Sequence, residues 1–220
     1  MVVTTKDCTA LSDAELEELA NLGVEPFGFD IGYLSKQREE WVLVTTVREG
    51  RKLRGYSFCT LERIGGTPSL LVGVASLDRT TRADAALKAM MSDQFRRALL
   101  AFPDEDVLLG TRLMAPDGFR AFSGLTDVVP APGARASGED RAWARRLTKR
   151  FGAEGRLDDR TFVVKGDGST NGGLDFVCAK AKLPDGVAGL FAGVNADRGD
   201  RLVAFGWAMA EDLAAGRYAR

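Results

Sequence analysis

The stretch "SLLVGVASLDRTTRADAALKAMM", residues 69–91, decides the fold that this sequence predicts. Its first nine residues form a continuous apolar run, which is typical of a strand covered on both faces. After two arginines the apolar residues return at helical spacing, with Leu87, Met90 and Met91 on one face. A buried strand therefore passes directly into an amphipathic helix, and a junction of this kind often holds a phosphate at the helix N-terminus.

The segments on either side extend this unit into a mixed α/β arrangement. Upstream, residues 41–49 and 53–64 are strand-like and are each followed by glycine turn signals. Downstream, Pro103 ends the helix and "DVLLGTRLM" at 106–114 resumes as a strand. Strand, helix and strand form a crossover unit, so we expect the strands at 69–77 and 106–114 to run parallel.

Composition and charge exclude several classes of protein. The 220 residues are 45% apolar and 28% charged, which is ordinary for a globular chain. The 30 Lys and Arg residues are balanced by 31 Asp and Glu residues, so the chain as a whole has no excess of positive charge that would attract nucleic acid. No apolar run approaches the roughly 20 residues of a membrane helix, and the N-terminus lacks the apolar centre of a signal peptide. We therefore expect a cytoplasmic protein that does not contact the membrane.

The chain contains no histidine, which excludes a His-containing hydrolase triad and a His-ligated zinc site. Its three cysteines are widely spaced and form neither a disulfide framework nor a zinc pattern. We expect no metal. Any chemistry must rely on carboxylates, Tyr, Lys, Arg, backbone amides or a bound cofactor.

Residues 53–102 and 106–125 resemble the GNAT (acyl-CoA N-acyltransferase) superfamily, of which the chain looks like a divergent member. The resemblance covers roughly residues 11–128. It implies an α+β fold with a central mixed, mostly antiparallel sheet flanked by helices. It also implies a core at 1–128 and a C-terminal extension at 129–220 that completes or covers the sheet, most simply within a single domain.

In that family the loop after the fourth strand cradles the coenzyme A pyrophosphate and reads Arg/Gln-x-x-Gly-x-Gly/Ala. Arg82 matches the leading residue, whereas Ala85 and Leu87 stand where glycines are expected. The resemblance implies acetyl-CoA or another acyl-CoA as co-substrate, and the residues expected to contact it are Leu77, Arg79, Arg82, Ala83, Asp84 and Ala85. In the alternative interpretation the two arginines are solvated and Asp84 is an ordinary helix cap.

The family often uses a Tyr after the fifth strand as general acid to the departing thiolate. Phe122 stands at that place and has no proton to give, and the substitutes that the sequence offers are Tyr33 and Tyr56. The resemblance also implies a base for the attacking amine and strand-four amides that hold the carbonyl oxygen. The candidate bases are Glu62 and Asp78, and the alternative is that both are surface carboxylates near turns.

Two functions follow from these observations. The first is an N-acyltransferase that moves an acyl group from acyl-CoA to a small amine. Phe27, Phe29 and Tyr33 are candidates for the lining of its acceptor pocket, and the alternative is that they pack in the core. The second is a catalytically degenerate GNAT-like binding or assembly module, which the missing loop glycines and Phe122 favour. The basic helix at 139–151 is interpreted as a charged solvent face, so nucleic acid is an unlikely partner. A homodimer is a further expectation.

Overall fold

The computed structural model describes residues 1–22, 28–178 and 183–218. The strands of these ranges are β1 (Val2–Asp7), β2 (Leu43–Glu49), β3 (Lys52–Ile64), β4 (Thr67–Leu77), β5 (Val107–Leu113), β6 (Thr126–Val129), β7 (Leu157–Asp158), β8 (Val163–Val164), β9 (Leu174–Asp175) and β10 (Arg201–Ala208). The α-helices are α1 (Asp13–Ala20), α2 (Ile31–Glu40), α3 (Ala83–Ala101), α4 (Gly138–Arg150) and α5 (Ala210–Ala214). Three short 3₁₀ turns span Cys8–Ala10, Pro116–Phe122 and Val187–Phe191.

The strands form one sheet in the order β1-β2-β3-β4-β9-β5-β10-β8-β7, and β6 pairs with β10. The pairings among β4, β9 and β5 are parallel, and the other pairings of the sheet are antiparallel. Helices lie against this sheet, with α3 packed on β2, β3 and β4 and α4 packed on β10. The predicted α+β fold with a mostly antiparallel central sheet flanked by helices is confirmed.

The unit at 69–91 forms as its apolar pattern predicts. β3 and β4 are joined at Gly65 and Gly66, whose φ angles of +59° and +93° suit a tight hairpin turn. Every residue of β4 after Thr67 is buried, because helices cover both faces of this strand. The side of α3 that faces the sheet carries Leu87 and Met90 as predicted.

Two N-terminal elements were not predicted. Residues 31–40, which include the charged "SKQREE", form α2. Its first turn is capped by Asp30, whose side chain accepts a hydrogen bond from the Tyr33 N–H at 2.8 Å. Leu34 is the one buried residue of this helix, so its apolar pattern is too sparse to indicate a helix. Residues 2–7 form the edge strand β1, which pairs antiparallel with β2.

The extension after residue 128 contributes strands to the same sheet as the N-terminal part. β10 lies antiparallel along the whole of β5, from Leu202 opposite Leu113 to Ala208 opposite Val107. α4 begins with a capping box and rests on β10 where Trp143 meets Trp207 edge to face, with ring centroids 5.9 Å apart. In the described ranges, no helix combines the length and the apolar character that crossing a membrane requires.

Candidate functional site

The two parallel strands of the crossover unit pair at one end and separate at the other. β4 and β5 are paired from Ser69 opposite Leu108 to Val72 opposite Thr111. Beyond that point β9 lies between them, with Leu174 opposite both Ala75 of β4 and Leu113 of β5. An acyltransferase of this layout requires an open cleft beside the start of α3 for the thioester arm, and the gap between β4 and β5 contains a segment of the chain itself.

Backbone hydrogen bonds hold β9 in this gap. The Ala75 N–H donates to the Gly173 carbonyl at 3.0 Å, and the Met114 N–H donates to the Leu174 carbonyl at 3.3 Å. Two glycines make this close approach possible. A Cβ on Gly172 would lie 2.7 Å from the Gly73 carbonyl oxygen, and one on Gly173 would lie 2.6 Å from a second backbone oxygen. The backbone N–H of Ala75 in β4 therefore already has a hydrogen-bond acceptor within the chain.

An ion pair fixes the far end of β9. Asp175 is 2% exposed and pairs with the guanidinium of Arg79, while Ser76 Oγ donates to the same carboxylate at 3.3 Å. The residue that the sequence predicts as a phosphate contact thus has a carboxylate partner 96 positions further along the chain. Its role toward a phosphate stays a prediction.

The other residues predicted to bind the cofactor also have partners within the chain. Arg82 Nε lies 3.3 Å from a carboxylate oxygen of Glu49, and Asp84 accepts a hydrogen bond from Arg120 at 3.0 Å. The Ala83 N–H donates to the Thr80 carbonyl. Of the remaining positions, Leu77 is buried with its side chain over Gly55, Ala85 is exposed, and Leu87 is 1% exposed in the core.

The two candidate bases lie at opposite ends of the β3–β4 hairpin. Glu62, opposite Ser69, accepts a hydrogen bond from Arg150 at 2.6 Å. Asp78, which follows the last residue of β4, accepts one from Arg54 at 2.8 Å. Nine residues of extended chain separate Ser69 from Asp78, which corresponds to about 30 Å. The two carboxylates therefore cannot serve one reaction centre together.

Of the two tyrosines that could replace the missing acid, Tyr56 is buried and Tyr33 is half-buried, and Phe122 is buried as well. Phe122 is buried against Phe119, with ring centroids 6.0 Å apart. Tyr56 is fully buried, and burial raises the pKa of its hydroxyl well above the ordinary range. Burial also raises the pKa of Tyr33, although the nearby Arg112 and Arg201 oppose this rise. Of the aromatic residues assigned to an acceptor pocket, Phe29 is buried beside Tyr33 and Phe27 lies outside the described residues.

Sequence reasoning missed a buried polar cluster around β9. Arg112 and Arg201 are 4% and 7% exposed, and both donate hydrogen bonds to oxygens of Asn171. Burial lowers the pKa of Arg112 to about 10 and also lowers the pKa of Arg201. Among the described residues, four of the five buried side-chain polar atoms that lack a hydrogen-bond partner belong to residues around β9: Tyr56 Oη, Arg79 Nη1, Arg112 Nε and Arg201 Nε.

One cavity lies beside this polar cluster, and a larger one lies over β10 and α4. One, of about 330 Å³, is lined by Gly28, Phe29, Met114, Gly168, Ser169, Thr170, Ala196, Asp197, Gly199 and Arg201. The other, of about 920 Å³, lies over Trp143, Phe205 and Trp207 and includes none of the predicted site residues. No three His, Cys, Asp or Glu side chains come together as a metal-binding group within the part of the chain that the structure describes.

The Asp200 side chain holds together the loops before and after β9, and both loops also line the smaller cavity. Its fully buried carboxylate accepts hydrogen bonds from the Gly166 N–H at 2.8 Å and the Asn195 N–H at 3.2 Å. It also pairs with Arg198 at 3.1 Å and Lys165 at 3.3 Å. Burial raises the pKa of this carboxyl, but the hydrogen bonds from these partners hold it well below its ordinary value of 3.8.

Replacing Asp200 with asparagine is expected to lower the free energy of unfolding by about 2 kcal/mol at neutral pH, because two backbone amides and two cations lose a charged acceptor. A depressed folded-state pKa stabilises the protein above the ordinary carboxyl pKa, and this stability is lost as the pH falls through the folded-state value. The difference between wild type and Asp200→Asn should therefore be constant above about pH 5 and shrink below it. Denaturant unfolding across this pH range measures it, with the exposed Asp185→Asn as control. A difference in the free energy of unfolding that stays the same on acidification would contradict the lowered pKa of the Asp200 carboxyl.

No protein-family model and no curated protein matches this sequence. Among solved structures, the chain is similar to TTHA1254 from Thermus thermophilus, at 15% identity and a TM-score of 0.35, over 50% of this chain and 75% of that one. A mutant of the same protein gives the same values. It is also similar to the ribosomal-protein-S18-alanine N-acetyltransferase from Escherichia coli, at 9% identity and a TM-score of 0.38, over 63% and 86% of the two chains. Identities and TM-scores this low carry no argument about function.

Proposed function

We propose that this chain is a small-molecule-binding module with a GNAT-like layout and does not transfer acyl groups from coenzyme A while β9 lies between β4 and β5. One observation carries the proposal: the Ala75 N–H, which a thioester arm in the gap would need, donates instead to the Gly173 carbonyl. Because β9 pairs with both strands, the chain itself occupies the place of that arm.

The charged residues near the start of α3 support the same function. A pyrophosphate at this position would have to compete with Asp175 for Arg79, with Glu49 for Arg82, and with the carboxylate of Asp84 for the helix N-terminus. Phe122 supplies no proton to a departing thiolate. Binding without acyl transfer therefore agrees with both the filled gap and the missing acid.

Acetyl-CoA is expected to leave the melting temperature of the wild-type protein unchanged at about 1 mM, because a ligand that does not bind the folded state cannot stabilise it. Thermal unfolding with and without acetyl-CoA is the measurement, and Arg79→Gln and Arg82→Gln are the matched variants. A rise that grows with acetyl-CoA concentration and disappears in both variants would overturn the proposal.

The second candidate function is N-acyl transfer from acetyl-CoA or another acyl-CoA to a small amine. The parallel pairing of β4 with β5, their separation beyond Val72 and the start of α3 six residues after β4 favour it. In this reaction the amine nitrogen attacks the thioester carbonyl, the C–N bond forms and the C–S bond breaks. The nitrogen loses one proton, and the departing thiolate takes one up. β9 would have to leave the gap before the thioester enters.

A further inference from the structure

We propose that the 330 Å³ cavity beside the end of β5 and the start of β10 binds a small organic anion, whose negative charge is balanced by Arg201. The inference rests on the proposed function and names the ligand class of the module. It starts from an arginine that lines the cavity, is 7% exposed and forms no salt bridge with a carboxylate among the described residues.

Within the part of the chain that the structure describes, Arg201 donates hydrogen bonds to backbone carbonyl oxygens and to no carboxylate. Its Nη1 donates to the Asp200 carbonyl oxygen at 2.9 Å, and its Nη2 donates to the Asn171 carbonyl oxygen at 3.1 Å. Its Nε has no acceptor within the described ranges. Burying a guanidinium charge without an opposite charge is costly, and a bound anion would offset that cost.

The neighbouring charges add to the positive potential. Arg112 donates to the Asn171 side-chain oxygen at 2.6 Å and to the Gly73 carbonyl at 3.2 Å, so its partners are also neutral. Two buried carboxylates lie among the three guanidinium groups around β9. Asp175 pairs with Arg79, and Asp200, whose charge also acts on Arg201, pairs with Lys165 and Arg198. Five cationic side chains thus face two buried carboxylates. The region around the cavity therefore has an excess of positive charge.

The lining of the cavity limits the shape of the ligand. Phe29 and Met114 form an apolar wall, and the exposed loop residues Ser169 and Thr170 lie at the mouth. A volume of about 330 Å³ is at the lower end of the range for small-molecule pockets, which indicates an organic body attached to the anionic group. The exposed Asp197 also lines the cavity and would repel a second negative charge, so a monoanion is favoured over a dianion.

Three probes of similar shape test the charge requirement: benzoate, phenyl phosphate and the neutral benzamide. The proposal expects benzoate to raise the melting temperature of the full chain in a concentration-dependent manner, phenyl phosphate, which is mostly a dianion at neutral pH, to raise it less, and benzamide to have no effect. Comparing the melting-temperature shifts caused by benzoate and by phenyl phosphate then shows whether the site prefers a carboxylate or a phosphate group. Equal effects of benzoate and benzamide, or no effect of either anion up to about 20 mM, would overturn the proposal.

Two variants locate the binding. Arg201→Met removes the charge and keeps a long side chain, and it should weaken anion binding by at least about tenfold. Thr170→Trp places a large ring at the exposed mouth without touching the guanidinium, so it should weaken binding similarly even if Arg201→Met does not fold. Isothermal titration with the anion that stabilises the wild type is the measurement. Anion binding that Thr170→Trp leaves unchanged would place the site elsewhere and refute the proposal.

The two proposals fail by different results. Stabilisation by acetyl-CoA that depends on Arg79 and Arg82 would refute the binding-module function. It would not affect the test of the anion site, which depends on Arg201→Met and Thr170→Trp. If neither benzoate nor phenyl phosphate stabilises the protein and acetyl-CoA has no effect either, the anion site alone is refuted.

Discussion

Replacing Gly73 with alanine is expected to lower the free energy of unfolding by about 4 kcal/mol, because the new methyl group has no space. A Cβ on Gly73 would lie 1.9 Å and 2.0 Å from two ring carbons of Trp41. This ring is 4% exposed, donates its Nε1–H to Gln37 at 2.9 Å and carries the Arg150 guanidinium 4.7 Å above it. Moving the ring would disrupt the packing of α2 and α4 on β4.

Denaturant unfolding at neutral pH tests this expectation with two matched glycines. Gly189→Ala serves as the control, since a Cβ there has no atom within 4 Å. Gly110→Ala should have an intermediate effect, because its Cβ would meet the flexible end of Leu147 at 2.8 Å. A loss for Gly73→Ala no greater than that for Gly189→Ala would contradict the packing of Trp41 on β4.

Replacing Asp175 with asparagine is expected to lower the free energy of unfolding by about 3 kcal/mol, because it removes the negative charge that neutralises Arg79 in a largely buried setting. The asparagine keeps the shape of the side chain, so the loss reports on charge. The exposed Asp197→Asn is the matched control and should change stability by less than about 0.5 kcal/mol. The double variant Arg79→Gln, Asp175→Asn should lose less than the two single effects combined.

The Asp175→Asn variant also distinguishes the two candidate functions, because it removes the ion pair that holds β9 between β4 and β5. If the chain is a latent acyltransferase, acetyl-CoA should stabilise Asp175→Asn while leaving the wild type unchanged. The binding-module function expects no effect on either protein. Thermal unfolding of both proteins in the presence of acetyl-CoA decides between these outcomes, and a shift seen only in the variant would favour acyl transfer after release of β9.

Local patterns predicted the elements near β4 well and the N-terminal elements poorly. The apolar run at 69–77 and the 3.6-residue spacing of α3 are strong signals, because most of the residues concerned are buried. α2 was missed since it buries one residue, and β1 was missed since it is an edge strand with no fully buried position. The turn residues of "GDGSTNGG" at 166–173 predict an exposed loop, and residues 167–170 are exposed. Its last residues, from Asn171 on, are buried because the glycines let the backbone pass between two strands.

The sequence by itself determined the hairpin, the buried strand, the helix that follows it and the parallel return, because turn glycines and apolar periodicity act over a few neighbouring residues. It also excluded histidine chemistry. Only the tertiary structure decided what lies in the gap between β4 and β5, since the pairing of Arg79 with Asp175 joins positions 96 residues apart. Charges at such separations leave no periodic pattern in the sequence. Their partners are chosen by the sheet order, which brings β9 between two strands that are far from it in the chain.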